Sequence, residues 1–207
     1  MEDISNKITL YYAPGACSFA PHIALREVGA DFNLEKVDIR AGKTETGLNY
    51  KEINPLGYVP ALRLPDSTLL TEAAAILLYI ADEHPYAKLV PDPKTRARYQ
   101  TYRWLTFISS ELHKGFGPLF NPHLPDEQRA QIIERLGTRF AFVDAHLAEH
   151  EWLAGDAYSV ADIYAFVILG WGNSMQLDMN QWQNIQAFLA RVGARDAVRN
   201  ALAIEHK

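Results

Sequence analysis

The only cysteine of the chain, Cys17, is the first candidate for chemistry. It lies in the turn Pro14-Gly15-Ala16-Cys17-Ser18, between a β-prone run and a segment with a helical pattern. The start of a helix stabilises a thiolate, because unpaired backbone N–H groups and the positive end of the helix dipole face it. Cys17 is therefore a candidate nucleophile or a residue that binds a small thiol. The alternative is a small apolar core residue, which is the commoner use of an unpaired cysteine.

The position three residues after Cys17, where a Cys-x-x-Cys motif has its second thiol, holds Ala20. This excludes a dithiol redox cycle, whereas a mixed disulfide with a small thiol from solution is still allowed. A single cysteine also excludes a secreted scaffold built on disulfides. The polar segment Met1–Lys7 is unlike a signal peptide. We therefore expect a reducing, cytoplasmic location.

Two further segments present polar groups that suit a peptide ligand. Val59-Pro60 begins a predicted strand, where main-chain groups can pair with an extended peptide as an added strand does. Glu72 and Ala73 begin a predicted helix, whose amides favour a carboxylate while the Glu72 side chain can accept from an ammonium group. That pair suits the zwitterionic end of an amino acid. The alternatives are an ordinary trans proline at a strand start and an ordinary acid in a first helical turn.

A polar stripe is predicted on an otherwise apolar helix in the second half of the chain. Thr106, Ser110 and His113 are spaced by four and three residues, and Lys114 follows directly. A His–Lys pair at a helix end can hydrogen-bond a thiolate or a carboxylate. Cations at a helix C-terminus also simply complement the helix dipole, so both interpretations of Lys114 stay open.

The composition excludes several classes of partner. Lys and Arg total 20 against 25 Asp and Glu, which gives a net charge of −5 and argues against binding to nucleic acid or to an acidic membrane. The apolar runs Ala73–Ala81 and Ile163–Trp171 are much shorter than the roughly 18 residues that span a bilayer. His146 and His150 have the spacing of a metal pair but no evident third ligand, so we predict no metal site.

The predicted secondary structure, which must position these residues, changes after residue 84 from strands and helices to helices alone. The first part predicts strands and helices in the order βαβ, irregular segment, ββα, which gives a mixed four-stranded sheet with helices on its faces. The predicted strands are Ile8–Tyr12, Phe32–Ile39, Val59–Leu64 and Thr68–Leu70, and the predicted helices are Phe19–Val28 and Thr71–His84. Beyond a proline-rich connector only helical patterns follow, at 95–114, 126–150, Val160 to about Gly172, Gln181–Val192 and Asp196–Ile204. We therefore predict an α/β domain at 1–84, a linker at 85–94 and an all-helical domain at 95–207.

Five segments of the chain stand in the order and spacing of one known family. They are Leu10–Ser18, Asn54–Leu62, Leu69–Ile76, Glu111–Phe116 and Ser159–Asp162. On these motifs the chain resembles the cytosolic glutathione transferases, and in particular their cysteine-containing bacterial beta class. The resemblance implies a thioredoxin-like N-terminal domain, a helical C-terminal domain and a homodimer.

The resemblance also implies a role for each candidate residue. The cysteinyl backbone of glutathione would pair with Val59 before a cis Pro60, and its γ-glutamyl end would bind Glu72 and Ala73. Its sulfur would lie near Cys17 and His113, the implied catalytic residues. The other implied contacts to glutathione are Lys43, at the position of the glycyl carboxylate, and Thr106, Ser110 and Lys114. Phe116 and Trp171 would line the electrophile site.

The function implied by the resemblance is conjugation of reduced glutathione to hydrophobic electrophiles, with thiol-transfer or peroxidase side activity. Glutathione is then a co-substrate, and no cofactor is bound permanently. Two alternatives stay open. One is a thiol-disulfide oxidoreductase that works through a mixed disulfide on Cys17, and the other is a non-catalytic binding or interaction protein on the same fold.

Overall fold

A computed structural model describes residues 7–205 of the chain and shows two compact units. The N-terminal unit consists of the chain up to Ala87 together with the segment from Asp196 onward, and the helical unit is Lys88–Arg195. The strands are β1 Ile8–Tyr12, β2 Phe32–Asp38, β3 Lys43–Thr44, β4 Ala61–Arg63 and β5 Leu69–Thr71. The α-helices are α1 Phe19–Glu27, α2 Tyr50–Ile53, α3 Ala73–Glu83, α4 Arg96–Phe107, α5 Lys114–Phe116, α6 Asp126–Glu149, α7 Val160–Ser174, α8 Gln183–Gly193 and α9 Asp196–Glu205.

The sheet of the N-terminal unit is mixed, as predicted, but its strand number differs from the prediction. Within residues 7–205 it has five strands in the order β3-β2-β1-β4-β5, with β1 parallel to β2 and the other pairs antiparallel. The predicted four strands are present, and the fifth is β3, which pairs Lys43 with Asp38. A two-residue strand has no alternating pattern that a sequence could display. The architecture is the expected thioredoxin-like one.

A buried cluster fixes the end of β1 against the segment that leads into β4. Its members are Tyr11, Ala13, Val37, Tyr50, Val59 and Ala61, all with 8% exposure or less. Because Ala13 begins the turn that carries Cys17 and Val59 precedes β4, this cluster holds the two predicted functional segments in the same part of the unit.

The helical unit follows the predicted apolar patterns closely. The helix predicted at 126–150 is α6, and its apolar stripe is buried at Ile132, Leu136, Phe140, Val143 and Leu147. The motif Ser159–Asp162 forms a capping box at the start of α7. One difference is local: between α4 and α5 the chain forms a π-helical turn, Ile108–His113, which the sequence pattern did not reveal.

The last helix corrects the predicted domain limits. The sequence assigned 95–207 to one helical domain, but α9 packs on α1 in the N-terminal unit and buries Val198 and Ala201. An amphipathic pattern shows that a helix has a buried face without showing which unit covers it. The other division falls between Ala87 and Lys88, inside the predicted linker 85–94.

Within the described residues, no helix is both long and apolar enough to cross a membrane.

Candidate functional site

The turn between β1 and α1 is closed by Ser18. The Ser18 hydroxyl accepts from the Ala13 N–H at 3.1 Å and donates to the Ala13 carbonyl at 3.2 Å, and its side chain is fully buried. Gly15 adopts a φ of +73° within this turn, a conformation that glycine reaches without strain. We call residues 13–18 the Cys17 loop.

The Cys17 thiol is turned toward the second predicted segment. It is 8% exposed, and its Sγ–H donates to the Val59 carbonyl at 3.3 Å. The structure thus brings together two residues that the sequence placed 42 positions apart. The thiol is buried, as a core residue would be, but it has a polar partner at a segment predicted to bind a peptide.

Val59 precedes β4, and the Val59–Pro60 peptide bond is cis, as the resemblance implied. Within residues 7–205 the Val59 N–H has no hydrogen-bond acceptor. The approach to Val59 is fixed by two side chains, because Tyr50 Oη and Asn54 Nδ2 both donate to the Tyr58 carbonyl, at 2.8 and 2.7 Å. Burial raises the pKa of Tyr50 to about 12, which keeps its phenol protonated as a donor.

Tyr50 and Asn54 were missed as supporting residues. Only their positions in the sequence could have indicated this role. Asn54 opens the motif Asn54–Leu62, and Tyr50 stands one helical turn before Asn54.

Glu72 has an unusual backbone conformation at the junction of β5 and α3. Its φ and ψ are +68° and 116°, a region that non-glycine residues rarely adopt. Its side chain is exposed and does not cap the helix. Among residues 7–205 no side chain accepts a hydrogen bond from the amides of the first turn of α3, which begins with Ala73, so these amides are available to an anion. Positive-φ residues that cost about 1–3 kcal/mol cluster at binding sites.

Two polar residues of the N-terminal unit differ in exposure: Lys43 lies at the surface, and Tyr12 is buried. Lys43 is an exposed residue of β3, opposite Asp38. Tyr12 is a buried strand residue, and burial raises the pKa of its phenol. Tyr12 therefore suits packing rather than ionisation.

The polar stripe predicted on the helical unit is divided in the structure. Thr106, Ser110 and Lys114 are exposed, whereas His113 is half-buried and its Nδ1 lies 2.7 Å from the Tyr164 hydroxyl. The Trp171 ring packs edge-on against the imidazole, with the ring centroids 5.0 Å apart. The prediction of one continuous stripe was wrong, because the π-helical turn changes the angular position of every residue after Ile108.

The environment of His113 disfavours its charged form. Burial, with a smaller contribution from the neighbouring Lys114 charge, lowers the pKa of His113 from its ordinary value of 6.5 to about 4. The imidazole is therefore neutral at pH 7. A neutral ring can accept a proton or donate one hydrogen bond, and the contact of Nδ1 with the Tyr164 hydroxyl leaves Nε2 as the ring nitrogen for a ligand.

The shifted pKa predicts how acid affects stability. Between pH 6.5 and about 4 the unfolded chain binds a proton at His113 that the folded chain does not bind, so this residue's contribution to stability is lost as the pH falls through that window. We expect His113→Asn to flatten the fall in the free energy of unfolding between pH 7 and pH 4.5, measured by urea titration. His123→Asn, at an exposed histidine, serves as the control. The prediction is contradicted if the free energy of unfolding falls equally with pH in wild type and in His113→Asn.

The two residues predicted to line an electrophile site differ in exposure. Phe116 is fully buried against Phe140 and Trp171, so it is a core residue and its predicted contact with a substrate does not fit. Trp171 is 7% exposed and packs edge-on against Phe120, with the ring centroids 5.1 Å apart. Phe120 is 56% exposed and is the apolar surface residue that the sequence analysis missed.

A cavity of about 260 Å³ lies beside the exposed part of the stripe, within the helical unit. Ser110 and Lys114 line it together with Arg135, Arg139 and the apolar side chain of Leu136. Arg139 is paired with Glu111 at 2.9 Å, which leaves a net positive lining.

The His146–His150 pair lies at the end of α6. The imidazole centroids are 4.4 Å apart, and His146 Nε2 lies 3.1 Å from the Leu153 carbonyl. Across residues 7–205, no three His, Cys, Asp or Glu side chains are grouped as metal ligands.

Comparisons with known proteins agree with this architecture over both units. Residues 15–83 match the glutathione S-transferase N-terminal domain, and residues 107–196 match the glutathione S-transferase C-terminal domain. The glutathione S-transferase GstA of Escherichia coli O157:H7 is 42% identical over 196 residues, which cover 95% of this chain and 98% of that protein. The chain belongs to the glutathione S-transferase family.

Solved structures refine the class. A Sphingomonas chungbukensis glutathione S-transferase of the bacterial beta class is 45% identical, with a TM-score of 0.92 over 95% of this chain and 98% of that one. A sphingomonad glutathione S-transferase complexed with glutathione is 45% identical, with a TM-score of 0.93 over 96% of this chain and 98% of that one. The expectations of a beta-class resemblance and of an enzyme that uses glutathione as co-substrate are confirmed.

Proposed function

We propose that this glutathione transferase conjugates glutathione to hydrophobic electrophiles, and that Val59 and the Cys17 loop bind the cysteinyl part of the tripeptide. The observation that carries the proposal is the pairing of the Cys17 thiol with the Val59 carbonyl, beside a Val59 N–H that has no acceptor in the described part of the chain. A peptide in extended conformation satisfies such a main-chain group by adding a strand. The sulfur of the bound cysteinyl residue is thereby brought to the loop that holds Cys17.

The ends of the tripeptide have matching partners on the N-terminal unit. The amides of the α3 N-terminus at Ala73 suit the γ-glutamyl carboxylate, and the exposed Glu72 carboxylate suits its ammonium group. Pro60 shapes the segment after Val59. Lys43, exposed on β3, is the proposed partner of the glycyl carboxylate.

The helical unit supplies the remaining proposed contacts. Thr106 and Ser110 offer hydroxyl groups, and Lys114 adds a positive charge that favours the two carboxylates of glutathione. His113 is proposed to hydrogen-bond the glutathione sulfur as a neutral imidazole. Trp171, and Phe120 in place of Phe116, supply apolar surface for the electrophile.

The reaction needs an ionised glutathione thiol aimed at the acceptor. The thiolate sulfur attacks an electrophilic carbon, a carbon–sulfur bond forms, and the leaving group departs with the electron pair of its broken bond. The thiol proton passes to solvent. Lowering a thiol pKa from about 8.5 to near neutrality contributes about 1–3 kcal/mol, so positioning must provide most of the acceleration.

We also propose a homodimer in the cytoplasm. Support for the dimer comes from large apolar side chains with 62–67% exposure, namely Leu56, Tyr58 and Tyr99. Leu56 and Tyr58 stand two positions apart in the chain, and neighbouring exposed apolar side chains favour coverage by another protein surface. Support for the location is the single cysteine, which a reducing compartment keeps as a thiol.

A second candidate function uses Cys17 itself as the nucleophile. Its thiolate would attack oxidised glutathione, forming a Cys17–glutathione disulfide and releasing one glutathione thiolate. The observation that favours it is the position of the thiol before α1, where the helix dipole stabilises the charged form.

Cys17→Ala separates the two candidates. With conjugation as the main function, we expect the rate with a chloronitrobenzene acceptor to stay within about tenfold of wild type, because the variant removes one weak hydrogen-bonding partner. After incubation with oxidised glutathione, an intact mass that shows one glutathione adduct on wild type and none on Cys17→Ala would support the second candidate. Conjugation that falls to background while glutathione still binds would favour the second candidate. A wild-type protein without glutathione affinity would contradict both.

A further inference from the structure

The peptide unit between Tyr58 and Val59 is held at its carbonyl and has no partner at its N–H. The Tyr58 carbonyl accepts from the Tyr50 hydroxyl at 2.8 Å and from Asn54 Nδ2 at 2.7 Å. Both donors are buried, Tyr50 fully and Asn54 with 4% exposure, so the packing around them fixes their positions. The N–H of the same peptide unit, that of Val59, has no hydrogen-bond acceptor within residues 7–205.

The geometry of a peptide unit links these two groups. The Tyr58–Val59 bond is trans, so its C=O and N–H are directed in opposite directions within one plane. Two donors that hold the carbonyl toward Tyr50 and Asn54 thereby direct the Val59 N–H away from them. Hydrogen bonds in series also polarise one another, so an N–H becomes a stronger donor when the carbonyl of its own peptide unit accepts two hydrogen bonds.

We propose that Tyr50 is a positioning residue for glutathione: with Asn54 it aims the Val59 N–H and strengthens it as a donor to the main-chain carbonyl of the bound cysteinyl residue. This inference rests on the proposed binding of glutathione at Val59. It requires a phenol that stays protonated where the glutathione thiol ionises. Burial raises the pKa of Tyr50 to about 12, which meets that requirement.

A simpler interpretation is that Tyr50 and Asn54 only hold the segment after α2 in place. Loss of either donor would then loosen the whole segment, and every ligand that binds there would be weakened to the same extent. Positioning of one N–H predicts a selective loss, confined to ligands that offer this N–H an acceptor. A matched pair of ligands measures the difference: glutathione, and an isostere in which a trans carbon–carbon double bond replaces the amide between cysteine and glycine. The isostere keeps the shape of the tripeptide and lacks the cysteinyl carbonyl.

The first variant is Tyr50→Phe, which removes one hydroxyl group and keeps the ring that packs against Tyr11, with the ring centroids 5.7 Å apart. The Tyr58 carbonyl keeps its hydrogen bond from Asn54, so no buried acceptor is left unpaired. We expect the Kd for glutathione, measured by titration calorimetry, to rise about fivefold. The Kd for the isostere is expected to change by less than about twofold, because the isostere has no acceptor for the Val59 N–H.

The second variant, Asn54→Asp, removes the other donor. Its carboxylate keeps an oxygen that can accept from the Leu56 N–H, as Asn54 Oδ1 does at 3.3 Å, but it has no N–H to donate to the Tyr58 carbonyl. The negative charge also repels the carbonyl oxygen. We therefore expect a larger rise in the Kd for glutathione, about tenfold, again with the smaller change for the isostere. If Asn54→Asp does not fold, Tyr50→Phe decides alone.

Tyr86→Phe is the matched control, because the Tyr86 hydroxyl also donates to a main-chain carbonyl of the N-terminal unit, that of Val28, at 2.6 Å. We expect neither Kd to change in this control. The proposal is overturned if folded Tyr50→Phe binds glutathione as tightly as wild type does, or if it loses affinity equally for both ligands. Equal binding of the two ligands by wild type would overturn the proposal and leave the conjugation function intact. A wild-type protein that does not bind glutathione would overturn both.

Discussion

Replacing Glu72 by glycine is expected to make the free protein more stable and to remove most of its affinity for glutathione. At φ +68° and ψ 116° a residue with a side chain is strained, and relief of about 1–3 kcal/mol exceeds the roughly 0.5–1 kcal/mol lost through the greater freedom of glycine in the unfolded chain. The exposed Glu72 side chain has no hydrogen-bond partner among residues 7–205 that the variant would break. We therefore expect the free energy of unfolding to rise by about 1 kcal/mol.

The affinity for glutathione should fall in Glu72→Gly, whereas the stability of the free protein rises. Loss of a carboxylate that pairs with an ammonium group removes about 1.5–3 kcal/mol, so the KM for glutathione is expected to rise about 10- to 100-fold. Urea unfolding and steady-state kinetics at varied glutathione measure the two effects on the same preparation.

Two matched variants separate strain from charge. Ser67→Gly relieves a positive φ of 68° in the turn between β4 and β5, and we expect a gain in stability with an unchanged KM. Glu72→Gln keeps the strained backbone and loses the charge, so KM should rise without a gain in stability. A Glu72→Gly variant that binds glutathione as wild type does would remove Glu72 from the proposed site.

The parts of this fold that the sequence predicts are those encoded by local signals. The turn at Pro14-Gly15 ends β1, the turn at Pro65–Ser67 separates β4 from β5, and the apolar stripe from Ile132 to Leu147 defines α6. Strand β3 has two residues and carries no such pattern. The contact of α9 with α1 depends on which buried faces meet, and amphipathic periodicity does not contain that information.

The residues of the candidate site also fall into those that local signals predict and those that only the tertiary structure reveals. Cys17, Val59 and Glu72 stand at the ends of elements, where turn chemistry and motif spacing are readable in the chain itself. His113 ends a π-helical turn and Phe116 follows it, so a projection at 3.6 residues per turn assigns them to the wrong faces. The hydrogen bond from the Gly15 N–H to the Glu205 carboxylate joins residues 190 positions apart, so only the tertiary fold forms it.

Replacing Asp162 by alanine is expected to destabilise the helical unit more than any other single change considered for it. The Asp162 carboxylate is fully buried and accepts from the Leu153 N–H at 2.8 Å, the Ser159 N–H at 2.9 Å and the Ser159 hydroxyl at 2.8 Å. Alanine leaves these donors without an acceptor inside the protein, and each buried donor costs about 1–3 kcal/mol. We expect the free energy of unfolding to fall by about 3–5 kcal/mol.

The measurement is urea unfolding at pH 7.5, where the carboxylate is ionised because burial raises the pKa of Asp162 only to about 6. Asp126→Ala is the control, since it removes an exposed first-turn acid from α6 and is expected to cost less than about 1 kcal/mol. Equal losses in the two variants would mean that the capping box does not hold α7.

Because α7 carries Tyr164 and Trp171, which contact His113, a partly unfolded start of α7 should also release the imidazole of His113. We therefore expect the pKa of His113, followed by NMR in protein that is still folded, to move from about 4 toward its ordinary value of 6.5 in Asp162→Ala and to stay in place in Asp126→Ala.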